Sequence, residues 1–247
     1  MNIAIFGDSF ANGESDMSRH LAHTGLTQYL MDDGHFVINF SRQGNSNSGA
    51  VEDFNYNLRQ NKHIKWDKAI VFQTEVYRDT SPDDYTTSIS EMGAVQLKRF
   101  YSNLKFYQNI YKTPIYLVGG TADTLSPEVV EECGLKCACQ SLVNLCVNGD
   151  HLIEEPTTDF VFTAPSDINL TTTENKEYFL KLIEMGDDRY KLMGDNPEYF
   201  APYDNLAHGG DLTYCNTSNP RAMHESDHPN RYAYKKLFNH LKSEGIV

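Results

Sequence analysis

The sequence predicts an α/β protein built on a five-stranded parallel sheet. Short apolar runs of strand length recur along residues 1–147, and segments with apolar residues at helical spacing separate them. The first of these runs, residues 3–6, is apolar at every position, which is typical of a strand covered on both faces. Because parallel strands need crossover connections, we expect helices on both faces of a doubly wound sheet.

The remaining elements follow in chain order from the same patterns. Leu26, Tyr29 and Leu30 stand at helical spacing before Gly34, which predicts the first crossover helix and its end. The other predicted strands are residues 35–40, 69–74, 114–120 and 141–147, and further helices are predicted after Gly49, over residues 88–112 and from Pro127. This succession predicts a sheet of flavodoxin-like type.

The stretch 148–223 has weaker periodicity, with one helix-like run over residues 174–191. It is too long for a loop in a compact domain, so we predict a single domain, residues 1–247, with residues 148–223 as an insertion or lid before the C-terminal helix. Its segments 199–203 and 205–210 carry aromatic, amide and glycine residues. These segments could line a carbohydrate cleft or pack the insertion onto the main body, and both readings stay open.

The composition limits the classes of partner. A chain of 247 residues with 40% hydrophobic residues can bury a full core. Its formal charge of −13 argues against nucleic acid and anionic membrane surfaces, which need a basic footprint. The first strand begins at residue 2, without a signal-peptide pattern or a membrane-spanning apolar run, so a cytoplasmic location is expected. The oligomeric state stays open.

The five cysteines do not indicate a disulfide framework or a metal site. Their number is odd, and the cluster Cys133, Cys137 and Cys139 lacks the paired Cys-x-x-Cys spacing of zinc sites. We therefore expect structural free thiols, no metal and no cofactor.

The turn Gly7-Asp8-Ser9 ends the first predicted strand. Glycine tolerates a tight turn there, and the next residues are delivered to the carboxyl edge of the sheet, where open α/β folds bind ligands. Ser9 is therefore a candidate nucleophile. Alternatively, the tripeptide is only a turn with a capping serine.

A histidine block lies near the other end of the chain, at residues 224–230, before a helical pattern. A serine hydroxyl needs a base within hydrogen-bonding reach and an acid that orients the base. His228 is the candidate base, and Pro229 is predicted at the first helical position. The alternative is that His228 merely caps this helix.

These two blocks resemble those of the GDSL/SGNH hydrolase family, in which a serine block and an Asp-x-x-His block lie at opposite ends of the chain. The resemblance covers residues 6–10, 41–49 and 224–230 and the strand–helix order of residues 1–147. It implies that Glu225 orients His228, with the adjacent Asp227 as the alternative acid. It also implies that the backbone N–H groups of Ser9 and Gly44 stabilise an oxyanion.

The sequence departs from the family at the exit of the third main strand. Residues 73–78 stand where the family usually has Gly-x-Asn-Asp, and no asparagine is present there. Gln73 is the nearest substitute for the asparagine donor. Glu75 is expected to pair with Arg78 or Arg42, or to accept a hydrogen bond from the substrate.

The remaining side-chain roles concern substrate binding and the turn. We assign substrate binding to Asn45, Glu75 and Arg78. Asp8 is expected to brace the turn through backbone hydrogen bonds.

The resemblance implies a serine esterase that acts through an acyl-enzyme on small acyl esters, with O-acetylated carbohydrate as the expected substrate class. Hydrolysis and acyl transfer share this intermediate and stay open. The alternative is a catalytically weak or inactive protein of SGNH fold that binds a glycan or a protein partner. A nucleotide-binding module is less favoured, because the first loop lacks a glycine-rich phosphate cradle.

Overall fold

The computed structural model describes residues 1–15, 21–79, 89–120, 123–147, 197–200 and 228–247. The strands in these residues are β1 (Asn2–Phe6), β2 (Glu14–Ser15), β3 (Leu21–His23), β4 (Phe36–Asn39), β5 (Lys68–Gln73), β6 (Ile115–Gly119) and β7 (Lys136–Cys139). The helices are α1 (Ser9–Asn12), α2 (Leu26–Asp32), α3 (Asn47–Gln60), α4 (Ile89–Tyr111), α5 (Pro127–Glu132), α6 (Leu142–Val147), α7 (Pro197–Phe200) and α8 (Arg231–Ser243), with a 3-10 helix at Val76–Asp79.

Five strands form one parallel sheet in the order β4-β1-β5-β6-β7. Counted along the chain, this is the order second, first, third, fourth and fifth, which is the flavodoxin-like order. The predicted doubly wound fold is therefore confirmed. β1 lies between β4 and β5, and the strand order reverses beside it, so its carboxyl end lies at the point where such sheets bind ligands.

The core lies on both faces of the sheet. Ile3 and Ile5 of β1 pack in a cluster with side chains of α2 and α8, whereas Ala4 and Phe6 pack in a second cluster with side chains of α3 and α4. All four residues are fully buried. This double coverage explains why β1 is apolar at every position rather than at alternate ones.

The predicted fifth strand, residues 141–147, is wrong. The fifth strand of the sheet is β7, and residues 142–147 form α6. A short apolar run does not distinguish a strand from a buried helical turn. Here the Oγ of Ser141 accepts a hydrogen bond from the N–H of Asn144 at 3.1 Å, an N-cap contact that starts a helix.

The last helix also begins later than predicted. The side chain of Asn230 accepts hydrogen bonds from the N–H groups of Tyr232 and Ala233, so Asn230 is the N-cap and Arg231 is the first helical residue. Pro229 therefore precedes the cap instead of occupying the first helical position. α8 then packs its apolar face onto the sheet, as its spacing predicts.

The predicted insertion lies almost wholly outside the described residues, and so does its helix-like run. The described part is α7, whose Phe200 is buried in the same core cluster as α8. The cysteines in the described residues are free thiols, at positions 133, 137, 139 and 146. No helix within the described ranges is long and apolar enough to cross a membrane.

Candidate active site

The turn after β1 presents Ser9 at the carboxyl edge of the sheet. Gly7 has φ +143°, and a Cβ atom at this position would lie 2.8 Å from the Cβ of Phe72, so only glycine fits. Asp8 is the N-cap of α1, and its Oδ1 accepts the N–H of Phe10 at 2.9 Å. Ser9 is the first residue of this short helix and is partly exposed. The chain therefore changes direction sharply at Gly7, and Asp8 caps the short helix that begins with Ser9.

His228 lies against this serine. Its Nε2 is 2.8 Å from the Oγ of Ser9, although the two residues are 219 positions apart in the chain. The histidine ring also packs on the ring of Phe10, with 5.4 Å between the ring centroids. The contact predicted from the two terminal sequence blocks is present.

Two tyrosine hydroxyls tie the last helix to the first elements of the chain. Tyr234 of α8 is fully buried, and its hydroxyl donates to the carbonyl of Phe10 at 2.8 Å. Tyr29 of α2 donates to the carbonyl of Arg231 at 2.9 Å. The sequence identifies these tyrosines only as members of apolar faces, because helical spacing does not show where a hydroxyl will find its acceptor.

The acid that would orient His228 is not identified by the structure. Glu225 and Asp227 both lie outside the described residues, so their assignment stays a prediction. The segment after them is fixed by Asn230, whose N–H donates to the carbonyl of Tyr199 at 2.7 Å. This bond joins the histidine block to α7.

The loop after β4 carries the second predicted oxyanion donor, Gly44. The carbonyl of Gly7 accepts hydrogen bonds from the N–H of Arg42 at 3.1 Å and from the Nδ2 of Asn45 at 3.3 Å, which fixes this loop to the turn Gly7–Ser9. Gly44 has φ +70° and open space around its Cα, so the backbone conformation and not crowding favours glycine there. The N–H groups of Ser9 and Gly44 thus belong to two hydrogen-bonded loops at one edge of the sheet.

Gln73 does not fit its predicted role as a third donor. Its side chain is buried on the α4 side of the sheet, where the Nε2 donates to the carbonyl of Asp123 at 2.6 Å and the Oε1 accepts from the hydroxyl of Tyr101 at 2.7 Å. These bonds fix the side chain among structural partners. The position of Gln73 at the end of a strand does not reveal these hydrogen-bond partners, because they come from other elements of the fold.

Asn45 is also structural rather than substrate-binding. Its side chain is buried, and its Nδ2 donates to the carbonyl of Gly7 and to the Oδ2 of Asp53, the latter at 2.9 Å. Asp53 also pairs with the Nε of Arg42 at 2.7 Å. The guanidinium of Arg42 therefore pairs with Asp53 instead of Glu75.

The loop after β5 adds a charged cluster next to the turn Gly7–Ser9. Glu75 pairs with Arg78, the first of the two partners predicted for it, with 2.6 Å between Oε2 and Nε. The Nη1 of Arg78 lies 3.6 Å from the Oδ2 of Asp8, which is fully buried. Burial raises the pKa of Asp8 from 3.8 to about 6, and the charge of Arg78 acts in the opposite direction. Contact of Glu75 or Arg78 with a substrate stays a prediction.

No family model and no curated protein matches this chain. Among solved structures, it is similar to an alpha/beta hydrolase from the metagenome of Lake Arreo, Spain, at 13% identity and a TM-score of 0.46, over 99% of this chain and 94% of that chain. It is also similar to a lipase/acylhydrolase from Enterococcus faecalis, at 14% identity and a TM-score of 0.40, over 98% and 94% of the two chains.

A third similar structure is an acetylxylan esterase from Geobacillus stearothermophilus, at 14% identity and a TM-score of 0.40. The match covers 98% of this chain and 93% of that chain. At these identities the likeness concerns the fold alone.

Proposed function

We propose that this protein is a serine esterase that acts through an acyl-enzyme on small acyl esters. The observation that carries the proposal is the 2.8 Å contact between the Oγ of Ser9 and the Nε2 of His228. This distance is within the range in which a base can take the proton of a nucleophile. Ser9 follows the carboxyl end of β1, at the edge where such sheets bind ligands, and it is partly exposed there.

The reaction follows from this pair. The Nε2 of His228 accepts the hydroxyl proton while the Oγ of Ser9 forms a bond to the ester carbonyl carbon, whose π electrons move to the carbonyl oxygen. Collapse of this intermediate expels the alcohol, which takes the proton from the histidine, and leaves the acyl group on the serine. Water, or another alcohol in a transfer reaction, then attacks the acyl-enzyme with the same histidine as base.

The developing oxyanion would be stabilised by the N–H groups of Ser9 and Gly44. Gln73 does not join them as a third donor, because its side-chain amide is engaged with Asp123 and Tyr101. One oxyanion donor is worth about 3–4 kcal/mol of transition-state stabilisation. We therefore expect slower turnover than a site with a third donor would support.

O-acetylated carbohydrate is the proposed substrate class. The proposal rests on Tyr203 and on the amide and glycine residues at 205–210, which suit a polar sugar better than a long acyl chain, whereas Phe200 packs in the core. A panel of acetylated sugars and p-nitrophenyl esters of increasing acyl length tests it. A preference for long acyl chains would contradict this substrate class and leave the serine chemistry intact.

The chemistry itself is tested with p-nitrophenyl acetate and a fluorophosphonate probe. The wild type should be labelled and active, whereas Ser9→Ala should lose labelling and His228→Ala should lose most turnover. Ser102→Ala, an exposed serine of α4, is the matched control and should behave as the wild type. Equal turnover in wild type and Ser9→Ala would overturn the esterase proposal.

The second candidate is a protein of this fold that binds a glycan or a protein without catalysis. It is favoured by the engaged amide of Gln73 and by Glu75, whose negative charge stands where the resembled family has a donor. In that case the fluorophosphonate probe should not label Ser9, and binding of an acetylated glycan, measured by calorimetry, should be equal in wild type and Ser9→Ala.

A further inference from the structure

The turn Gly7-Asp8-Ser9, called the nucleophile turn from here on, is in contact with a cation that the esterase proposal does not use. Arg78 reaches across from the segment after β5 to Asp8, which immediately precedes Ser9, with 3.6 Å between Nη1 and Oδ2. The other oxygen of Asp8 accepts the N–H of Phe10 in the first turn of α1 at 2.9 Å. One carboxylate thus connects the guanidinium to the helical turn that carries the nucleophile.

We propose that Arg78 is a positioning residue for Ser9 that acts through Asp8. The proposal rests on the proposed function of Ser9 as the nucleophile. Arg78 keeps the carboxyl group of Asp8 in its charged form, and the charged form holds the first turn of α1 in place. A hydrogen bond to a carboxylate is about twice as strong as one to a neutral acceptor, so the charge of Asp8 decides how firmly the turn is held.

The charge balance of the cluster requires this cation. The described charged groups that face Asp8 are Arg78 and Glu75, both from the segment after β5, while α1 contributes the N–H of Phe10. Two carboxylates at close range do not both ionise readily without a cation between them. Burial raises the pKa of Asp8 to about 6 even with Arg78 present, so removing Arg78 should leave this carboxyl group protonated near neutral pH.

Glu75 acquires a defined role in this arrangement. Its Oε2 contacts the Nε of Arg78 at 2.6 Å and also accepts a hydrogen bond from the hydroxyl of Thr74 at 2.7 Å, so two partners hold this one oxygen. The side chain of Arg78 is only 26% exposed. Glu75 therefore orients the guanidinium toward Asp8.

The test compares Arg78→Gln with Arg78→Lys, in the wild type and in an Asp8→Asn background, by steady-state kinetics on p-nitrophenyl acetate from pH 5 to 9. Arg78→Gln should lower kcat at pH 7 about tenfold, the equivalent of weakening one charged hydrogen bond to a neutral one, with little change in KM. The acidic limb of its pH profile should move to higher pH by about 1–3 units. Arg78→Lys should restore most of the loss, and Arg59→Gln, an exposed arginine of α3, should match the wild type.

The Asp8→Asn background separates positioning from a general loss of structure. Asparagine can still accept the N–H at the helix start but cannot ionise, so in this background Arg78→Gln should no longer move the acidic limb. Wild-type kcat and pH profile in Arg78→Gln, or the same shift in the Asp8→Asn background, would overturn the inference. Thermal unfolding of every variant identifies any that fails to fold.

A measurement that does not depend on enzymatic turnover separates the test of Arg78 from the test of the esterase proposal. Carbon NMR of the Asp8 carboxyl group should show a higher titration midpoint in Arg78→Gln than in the wild type. If the wild type has no Ser9-dependent turnover, the esterase proposal fails on its own experiment. An unchanged Asp8 midpoint would contradict the role of Arg78 whether or not the protein is active.

Discussion

Asp8→Asn should make the protein more stable at neutral pH. Asp8 is fully buried, and its pKa rises from 3.8 to about 6 in the folded chain, mainly because burial penalises the charged form. A shift of this size corresponds to about 3 kcal/mol, at 1.36 kcal/mol per pKa unit. Asparagine has nearly the same shape and cannot ionise, so it avoids this penalty while it can still cap α1.

The direction in which this stability difference changes with pH follows from proton binding to Asp8. Because the folded pKa is the higher one, the folded state binds more protons than the unfolded state between pH 4 and 6. The stabilising contribution of Asp8 is complete below pH 3.8 and is lost as the pH rises through about 6. The stability of Asp8→Asn relative to wild type should therefore increase by up to about 3 kcal/mol across this window.

Urea denaturation of both proteins at several pH values from 4 to 8 measures this difference. The midpoint for the wild type should fall relative to that of Asp8→Asn as the pH increases, with similar slopes for the two proteins. A difference in unfolding free energy that does not change with pH would refute the reasoning. So would a wild type that gains stability relative to the variant toward pH 8.

Two further predictions concern the positions of the serine and the histidine. Tyr234→Phe should lower kcat and cost about 1–3 kcal/mol of stability, since it leaves a buried carbonyl at the nucleophile turn without its donor. Tyr29→Phe removes a similar bond to α8 away from the serine and should leave kcat unchanged, and equal kcat losses in both variants would argue against a specific role. Glu225→Gln should reduce hydrolysis far more than Asp227→Asn, and the reverse ranking in steady-state assays would reassign the acid.

The sheet could be predicted from the sequence where burial leaves a continuous apolar pattern. β1, β5 and β6 are buried almost throughout, and their apolar runs have strand length and alternate with segments of helical spacing. β7 could not be predicted in this way, because two of its four residues are cysteines and its first residue is an exposed lysine. The stronger apolar run just after it belongs to α6, so local hydrophobicity placed the strand too late.

The Ser9–His228 contact could be predicted because each residue stands in a distinctive local block at a junction of elements. The roles of Gln73 and Asn45 could not, since an amide side chain carries donors and acceptors that suit many partners. Their partners, such as the hydroxyl of Tyr101, come from elements far along the chain. Sequence position gave the correct edge of the sheet for these residues but not the direction of their hydrogen bonds.

Glu75 stands where the resembled family has a hydrogen-bond donor, and its pairing with Arg78 explains how the proposed site can tolerate this carboxylate. A carboxylate close to a developing oxyanion would raise the energy of the transition state if its charge were uncompensated. Glu75 is instead neutralised by Arg78, which also reaches Asp8 under the nucleophile turn. This cluster stands where the resembled family has a donor, and it includes Asp8, a buried carboxyl group with a pKa of about 6 next to Ser9. Under the proposed function, the position of the nucleophile and the folding stability both depend on the ionisation of Asp8. If Asp8→Asn proves more stable and less active than the wild type, the chain keeps this carboxylate for catalysis at the expense of stability.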